Sequence, residues 1–332
     1  MQKTTKRING LDFLKFIAAL MITNYHFRPL YEGHNIGFAT FGVHGNALFF
    51  FVSGFFLYNI FSKNQSQNTS FIPFSIWYKN KINRLWPSII VWPIIASLIY
   101  NKEINWQDFL IGGGYWFIRC FLISFPIIYF IMKYYSNYLY YFLIASILLT
   151  FLLVISHNKV TGSIYHNNLF HYFCYFSTML FGVIVGVNKD TIKNKSLIKD
   201  LLLLIISFVT YFIIMHFGKD KMNAWYYIQL LDIVPLILFL YYAYKVSCYK
   251  WCDKVASTKI WYVIYFIASL TLEIYIVQFD IITGRFNMLY PFNTIVVFSI
   301  ILFAAYCLRV CTNFFVQTMN KEKWDWKKMI TI

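Results

Sequence analysis

The sequence predicts an all-α, polytopic integral membrane protein: a helical bundle of about ten transmembrane helices with both termini cytoplasmic. Two observations predict this class. Of the 332 residues, 59% are hydrophobic and only 13% are charged, and a soluble domain of this length cannot bury that much apolar surface. The apolar residues also form runs long enough to cross a bilayer core of about 30 Å.

The apolar runs, each about 17–24 residues long, cover residues 9–30, 40–61, 83–100, 114–132, 137–156, 168–187, 198–217, 224–244, 260–282 and 289–312. Pro87 and Pro93 interrupt the third run, which spanning helices tolerate where neighbouring groups satisfy the freed carbonyls. We expect one domain over residues 1–332 with no appended soluble domain. We also expect the first run to be retained, because it lacks the small-residue cleavage site of a signal peptide.

Basic residues are concentrated at both termini and in alternate loops between the runs. Loops on the cytoplasmic side carry an excess of Lys and Arg, so this asymmetry predicts cytoplasmic termini and an extracytoplasmic end for the first helix. Arg309 is counted with the cytoplasmic set. The net charge of +16 is therefore interpreted as a topology signal, and we expect no nucleic-acid partner.

The segment LDFLKFIAALMITNYH of the first apolar run carries Asp12, Lys15 and His26. At about 100° per residue, Lys15 and His26 project from one helix face about 16 Å apart, and Asp12 falls within about 40° of His26. Such groups are costly in hydrocarbon unless they face a protein interior or an aqueous cavity. A histidine there is suited to act as general base on an alcohol; the alternative is an interfacial histidine that hydrogen-bonds a loop.

Two cations, Lys81 and Arg84, lie in YKNKINRLWP at the cytoplasmic end of the third run. Because they are three residues apart, they share a helical face and suit a diphosphate. The alternative is a pair of anchors that only set topology.

Further charges lie inside later runs. Arg119 is near the outer end of the fourth run. Its side chain either extends to the membrane surface or takes part in a functional site. Glu273 and Asp280 are two helical turns apart on one face of the ninth run, so both need partners inside the bundle. An Arg119–Glu273 ion pair is one such possibility. In the second run, Ser53 with its following glycine is typical of close helix packing rather than of a nucleophile.

Metal binding is not expected, because the histidines lack the spacing of metal ligands. The six cysteines form no CxxC pair, and most lie in apolar runs, where a cysteine behaves as a small hydrophobic residue.

Five segments, in this order, resemble motifs of the membrane-bound acyltransferase-3 family: RINGLDFLKFIAALMITNYH, ALFFFVSGFFL, KINRLWP, GYWFIRCFLI and SLTLEIYIVQ. The family's first helix carries a basic residue, ten others and a histidine, which are Lys15 and His26 here. The family's basic-x-x-Arg element corresponds to Lys81 and Arg84. The chain differs in having lysine where arginine is commoner at Lys15 and Lys81, and in having Gln278 where many members have histidine.

This resemblance implies an enzyme that moves an acyl group, usually acetyl, from a cytoplasmic acyl-CoA to a hydroxyl of a cell-surface glycan. It implies a multi-pass protein of the bacterial cell membrane that takes part in polysaccharide or capsule biosynthesis. Acetyl-CoA would be the co-substrate, with no permanently bound cofactor. A polysaccharide or a lipid-linked glycan would be the acceptor.

The resemblance also implies roles for the candidate residues. His26 would deprotonate the sugar hydroxyl, with a covalent acyl-histidine as a variant. Lys81 and Arg84 would hold the CoA phosphates, and Arg119 would stabilise the oxyanion. The cavity would be tuned by Asp12 and Lys15, and the supporting polar groups in the bundle would be Glu273, Gln278 and Ser53.

A different class of function also fits charged groups inside a bundle, namely a transporter or flippase that exports a polysaccharide or a lipid-linked sugar. Donor dependence separates the two, because a transporter needs neither acyl-CoA nor a catalytic histidine. A sensory or scaffold protein is disfavoured, since buried charges serve no purpose there and no soluble output domain is visible.

Overall fold

The computed structural model describes residues 8–66, 71–101, 103, 115–156, 164, 168–219, 224–319 and 324–331. These residues form helices and connecting turns, with no strand among them. The α-helices, numbered α1 to α13 in chain order, are Asn9–His26, Gly42–Ser66, Phe74–Tyr100, Trp116–Tyr134, Leu139–Ser156, Asn168–Val187, Leu197–Lys219, Ile233–Ser247, Lys250–Ala256, Ile260–Ser269, Thr271–Ile281, Asn293–Met319 and Trp326–Ile330.

The predicted class, a polytopic helical bundle, is confirmed. Within the described part of the chain, eight helices are long and apolar enough to cross a membrane, and a bent pair of helices makes a ninth. Helix α1 is not one of these, since it carries Asp12, Lys15 and His26 among its 18 residues. Its crossing of the membrane stays a prediction.

The ninth predicted run is broken rather than continuous, because α10 and α11 meet at an angle of 75°. The hydroxyl of Thr271 donates to the carbonyl of Ala268 (2.8 Å), and Arg309 donates to the carbonyl of Ser269 (2.8 Å). Breaks of this kind persist in a membrane protein where side chains satisfy the freed carbonyls.

The chain forms two compact units. The first unit consists of Met1–Lys15, Asn46–Phe71 and Ile127–Tyr262, and the second of Phe16–Gly45, Ile72–Pro126 and Val263–Ile332.

In the first unit, α2 and α6 cross with their backbones in direct contact. A Cβ atom added to Gly54 would lie 1.9 Å from the carbonyl oxygen of Met179, and one added to Gly182 would lie 2.0 Å from that of Phe51. No side chain fits in either gap, so glycine is required at both positions. Small residues commonly allow this close approach between helices in membranes.

In the second unit, helices α3, α11 and α12 pack against one another. Helix α3 begins at Phe74, well before the apolar run predicted from residue 83. Lys81 and Arg84 therefore lie inside this helix, one to three turns from its start, rather than at its beginning. This arrangement brings the two cations into the same unit as His26.

Candidate active site

His26 is the last residue of α1, and its imidazole lies among aromatic rings of the second unit. Its ring centroid is 4.7 Å from that of Phe279, 5.5 Å from that of Tyr25 and 6.2 Å from that of Tyr275. The residue is half-buried, and no hydrogen bond joins it to another described side chain. An imidazole nitrogen is thus available to accept a proton from a ligand.

Helix α4 extends the aromatic wall around this histidine. Phe117 contacts the ring of Tyr275, with centroids 3.8 Å apart, and Tyr115 lies 5.8 Å from Phe279. The hydroxyl of Tyr115 also donates to the carbonyl of Ile276 (3.3 Å). Packed aromatic rings of this kind exclude water from a reaction, which strengthens any electrostatic interaction made there.

Asp280, the residue after Phe279 on α11, accepts a hydrogen bond from the indole of Trp92 (2.8 Å). Trp92 is buried on α3. The sequence indicated that Asp280 needs a partner inside the bundle, and Trp92 supplies one.

The other two ionisable residues of α1 are joined to each other in the first unit. Lys15 Nζ lies 2.9 Å from Asp12 Oδ1, and the same ammonium lies 5.4 Å from the ring centroid of Phe56. The structure therefore places Asp12 and Lys15 together as an ion pair in the first unit, whereas His26 belongs to the second.

Glu273 has a different partner from the one considered from the sequence. The guanidinium of Arg309 donates to Glu273 Oε2 (2.9 Å) and also to the carbonyl of Ser269, so the Arg119–Glu273 pair is not formed. Glu273 is 1% exposed. Its second oxygen accepts a hydrogen bond from Ser88 (3.5 Å), and Ser88 is 3.4 Å from the hydroxyl of Thr312.

Sequence reasoning missed Arg309 as a residue of the site and counted it with the cytoplasmic loops. The available signal was an arginine inside the apolar run 289–312. In the structure it lies well within α12, and Arg309 joins α12 to both halves of the broken helix.

Positive charge exceeds negative charge around Glu273. Arg84 lies close enough to Arg309, Glu273 and Lys81 to interact with each electrostatically. The Lys81 ammonium also lies 5.6 Å from the ring centroid of Trp77 and 5.5 Å from that of Phe125, which holds a cation without neutralising it. Two arginines, Arg309 and Arg84, therefore lie near one carboxylate, Lys81 lies near Arg84, and Arg84 is exposed. Such a cluster is suited to a phosphate group.

Arg119 lies on α4, half-buried, two residues after Phe117. Within the described part of the chain, its buried Nε atom has no hydrogen-bond partner, and no ion pair joins the side chain to a carboxylate. An arginine in this state retains donors for a ligand.

Two of the supporting polar groups, Ser53 and Gln278, differ in whether a hydrogen-bond partner is present. Ser53, in the first unit, donates to the carbonyl of Phe49 one turn earlier in α2 (2.8 Å). Gln278, in the second unit, is fully buried, and neither of its side-chain polar atoms has a partner among the residues that the structure describes.

A separate cavity of about 480 Å³ lies beside the C-terminal end of α1. It is lined by Leu20, Met21, Asn24, Tyr31, Phe38, Phe41, Tyr290, Pro291 and Thr294. Asn24 accepts a hydrogen bond from Tyr31 (2.9 Å), and burial together with the nearby Tyr290 raises the pKa of Tyr31 above its usual value. Asn24 and His26 are about 200° apart around α1, so this cavity opens on the face of the helix opposite His26.

Comparison with protein families gives one match. A family model described as an acyltransferase domain matches residues 8–313, a range that contains every candidate residue described above. Comparisons of the chain with curated proteins and with solved structures find no match.

Proposed function

The chain belongs to the acyltransferase-3 family, and from this premise we propose that it is an O-acetyltransferase of the bacterial cell membrane. It takes an acetyl group from cytoplasmic acetyl-CoA and transfers it to a hydroxyl of a cell-surface or capsular polysaccharide, or of its lipid-linked precursor. The observation that carries the proposal is His26, an imidazole without a hydrogen-bond partner among the described residues and enclosed by aromatic rings. The described residues offer no observation that favours the transporter alternative.

Positively charged side chains bind the acetyl-CoA donor. Arg84 and Arg309 lie near a single carboxylate and Lys81 lies near Arg84, so their excess charge suits the diphosphate of CoA. Arg84 is the principal ligand because it is exposed and its planar fork of donors matches phosphate oxygens. The pantetheine arm then extends through the second unit toward His26.

The transfer is a single displacement at the thioester carbonyl carbon. His26 removes the proton of the sugar hydroxyl, and the sugar oxygen forms a bond to the acetyl carbonyl carbon. The carbon–sulfur bond then breaks, and the imidazolium returns its proton to the departing CoA thiolate. The products are an O-acetyl sugar and free CoA, and His26 is regenerated neutral.

Arg119 supports this step as a donor to the developing oxyanion, since its Nε atom is buried and without a partner and such donors act strongly where water is excluded. Asp12 and Lys15 form an ion pair in the first unit, and their part in tuning the electrostatic potential on the cytoplasmic side belongs to the proposal.

The proposed function is tested by proton NMR of the purified surface polysaccharide from cells with the chain and from cells in which it is deleted. We expect the O-acetyl methyl signals to disappear on deletion while the yield of polymer is unchanged, and to return when the chain is supplied again. Unchanged acetylation with loss of polymer from the surface would contradict the proposal and favour a transporter.

Arg84→Gln is expected to raise the KM for acetyl-CoA by about 10- to 100-fold, because a charge-assisted hydrogen bond to the donor diphosphate is lost. The maximal rate should change little, since Arg84 does not contact the reacting atoms. The measurement is the initial rate of CoA thiol release in membranes supplied with deacetylated polysaccharide, over a range of acetyl-CoA concentrations.

Lys79→Gln is the matched control, since Lys79 is an exposed cation on the same helix and the replacement removes the same charge. It should leave the KM near that of the wild type. Equal effects of the two replacements would mean that general surface charge, and not Arg84 itself, sets donor affinity.

A further inference from the structure

Gln278 is a buried amide whose hydrogen bonds are unmade. It is 0% exposed, and neither its Nε2 nor its Oε1 has a partner in the part of the chain that the structure describes. Buried polar side chains in native proteins are nearly always paired, so an exception calls for an explanation such as a catalytic role. For Gln278 the explanation must cover both the Nε2 donor and the Oε1 acceptor.

Gln278 shares a helix face with two residues that contact His26. Tyr275, Gln278 and Phe279 occupy positions i, i+3 and i+4 of α11, which share one helix face. The first and third of these contact the imidazole of His26 through their rings. Gln278 lies between them along the helix axis, at the level of the histidine.

A second unpaired group lies on the facing helix. Thr23 is three residues before His26 on α1, so the two share a face of that helix. Thr23 is 1% exposed, and its hydroxyl oxygen has no hydrogen-bond partner among the described residues. The two helix faces that meet at His26 thus each carry a buried polar group that has no partner among the described residues.

We propose that Gln278 is a catalytic residue whose Nε2 donates a hydrogen bond to the carbonyl oxygen of the acyl thioester. This inference rests on the proposed function and assigns a role to a residue of the same site. The carbonyl oxygen gains negative charge as the sugar oxygen bonds to the carbonyl carbon, and a donor already in place stabilises that charge. When the carbon–sulfur bond breaks, the charge is lost and the hydrogen bond weakens, while the sugar proton passes through His26 to the CoA thiolate.

Gln229 shows what a structural glutamine looks like in the same chain. It is also 0% exposed, but its Oε1 accepts from the backbone of Ile164 (3.0 Å) and its Nε2 donates to the carbonyl of Gly218 (3.1 Å). The two glutamines are equally buried but differ in hydrogen bonding, so Gln229 is a matched comparison for Gln278. Removing the amide of Gln229 breaks these two hydrogen bonds, whereas removing that of Gln278 breaks none among the described residues.

The experiment replaces each glutamine by methionine, which has a similar shape but no N–H donor. The full-length variants are purified in detergent, and two quantities are measured: the midpoint of thermal unfolding, and kcat and KM for CoA thiol release from acetyl-CoA with deacetylated polysaccharide as acceptor. For Gln278→Met we expect a midpoint at or above that of the wild type, an unchanged KM for acetyl-CoA, and a kcat lower by about 10²- to 10³-fold. For Gln229→Met we expect a lower midpoint and an unchanged kcat per folded molecule.

Gln278→His is the second variant, since imidazole keeps an N–H donor, and it should retain more kcat than Gln278→Met. The inference is overturned if Gln278→Met matches the wild-type kcat, if it lowers the unfolding midpoint as Gln229→Met does, or if Gln278→His folds and is no better than Gln278→Met.

Failure of the underlying function gives a different result. If the wild-type protein releases no thiol from acetyl-CoA, or if His26→Ala transfers at the wild-type rate, the proposed function itself is wrong. If His26→Ala is inactive and Gln278→Met is fully active, only the role of Gln278 is wrong.

Discussion

Replacing His26 by alanine is expected to lower acyl transfer by about 10²- to 10⁴-fold, the usual contribution of a positioned general base. Protein abundance should be unchanged, because the side chain ends α1 in a half-buried position and donates no hydrogen bond to another described residue. The measurement is the O-acetyl content of the surface polysaccharide, normalised to the amount of the protein in the membrane fraction.

The control for this prediction is His216→Ala. His216 is an exposed histidine of α7 that contacts the ring of Phe217, and its removal should leave acetylation at the wild-type level. Full acetylation by His26→Ala at wild-type abundance would remove the histidine from the mechanism.

Arg309→Met is expected to lower the free energy of unfolding by about 3–5 kcal/mol, because it leaves the carboxylate of Glu273 buried without its ion-pair partner. The change also frees the carbonyl of Ser269 at the break between α10 and α11. Thermal or denaturant unfolding of the purified protein in detergent measures the loss.

A double variant, Arg309→Met with Glu273→Gln, tests whether the loss arises from the stranded charge. A neutral amide costs less to bury than an unpaired carboxylate, so the double variant should recover most of the lost stability. A double variant as unstable as Arg309→Met alone would show that the hydrogen bond to Ser269, and not the ion pair, stabilises the broken helix.

Sequence patterns predicted the features that depend on one element at a time. The apolar runs predicted the helical bundle, because hydropathy and the thickness of a bilayer determine which segments span it. The positions of Asp12, Lys15 and His26 on α1 were derived from its periodicity, whereas the ion pair between Asp12 and Lys15 was not predicted. The role of Lys81 and Arg84 as phosphate ligands stays a prediction.

Features that depend on contacts between two helices could not be predicted from the sequence. Glu273 was assigned Arg119 as a possible partner, although Arg309 of α12 pairs with it, because spacing along the chain does not tell which helices are neighbours. The break between α10 and α11 was also missed, since the residues around it include neither glycine nor proline. That Gln278 lacks a hydrogen bond follows only from the packing around it.

The crossing of α2 and α6 has a consequence for the construction of hybrids with other members of the family. Gly54 faces the backbone of α6 at Met179, and Gly182 faces the backbone of α2 at Phe51, so each helix supplies the gap that the other fills. A chimaera that exchanges α2 alone keeps this fit only if the donor sequence also has glycine at the crossing. The two helices therefore form one exchangeable module, although more than a hundred residues of sequence separate the two glycines.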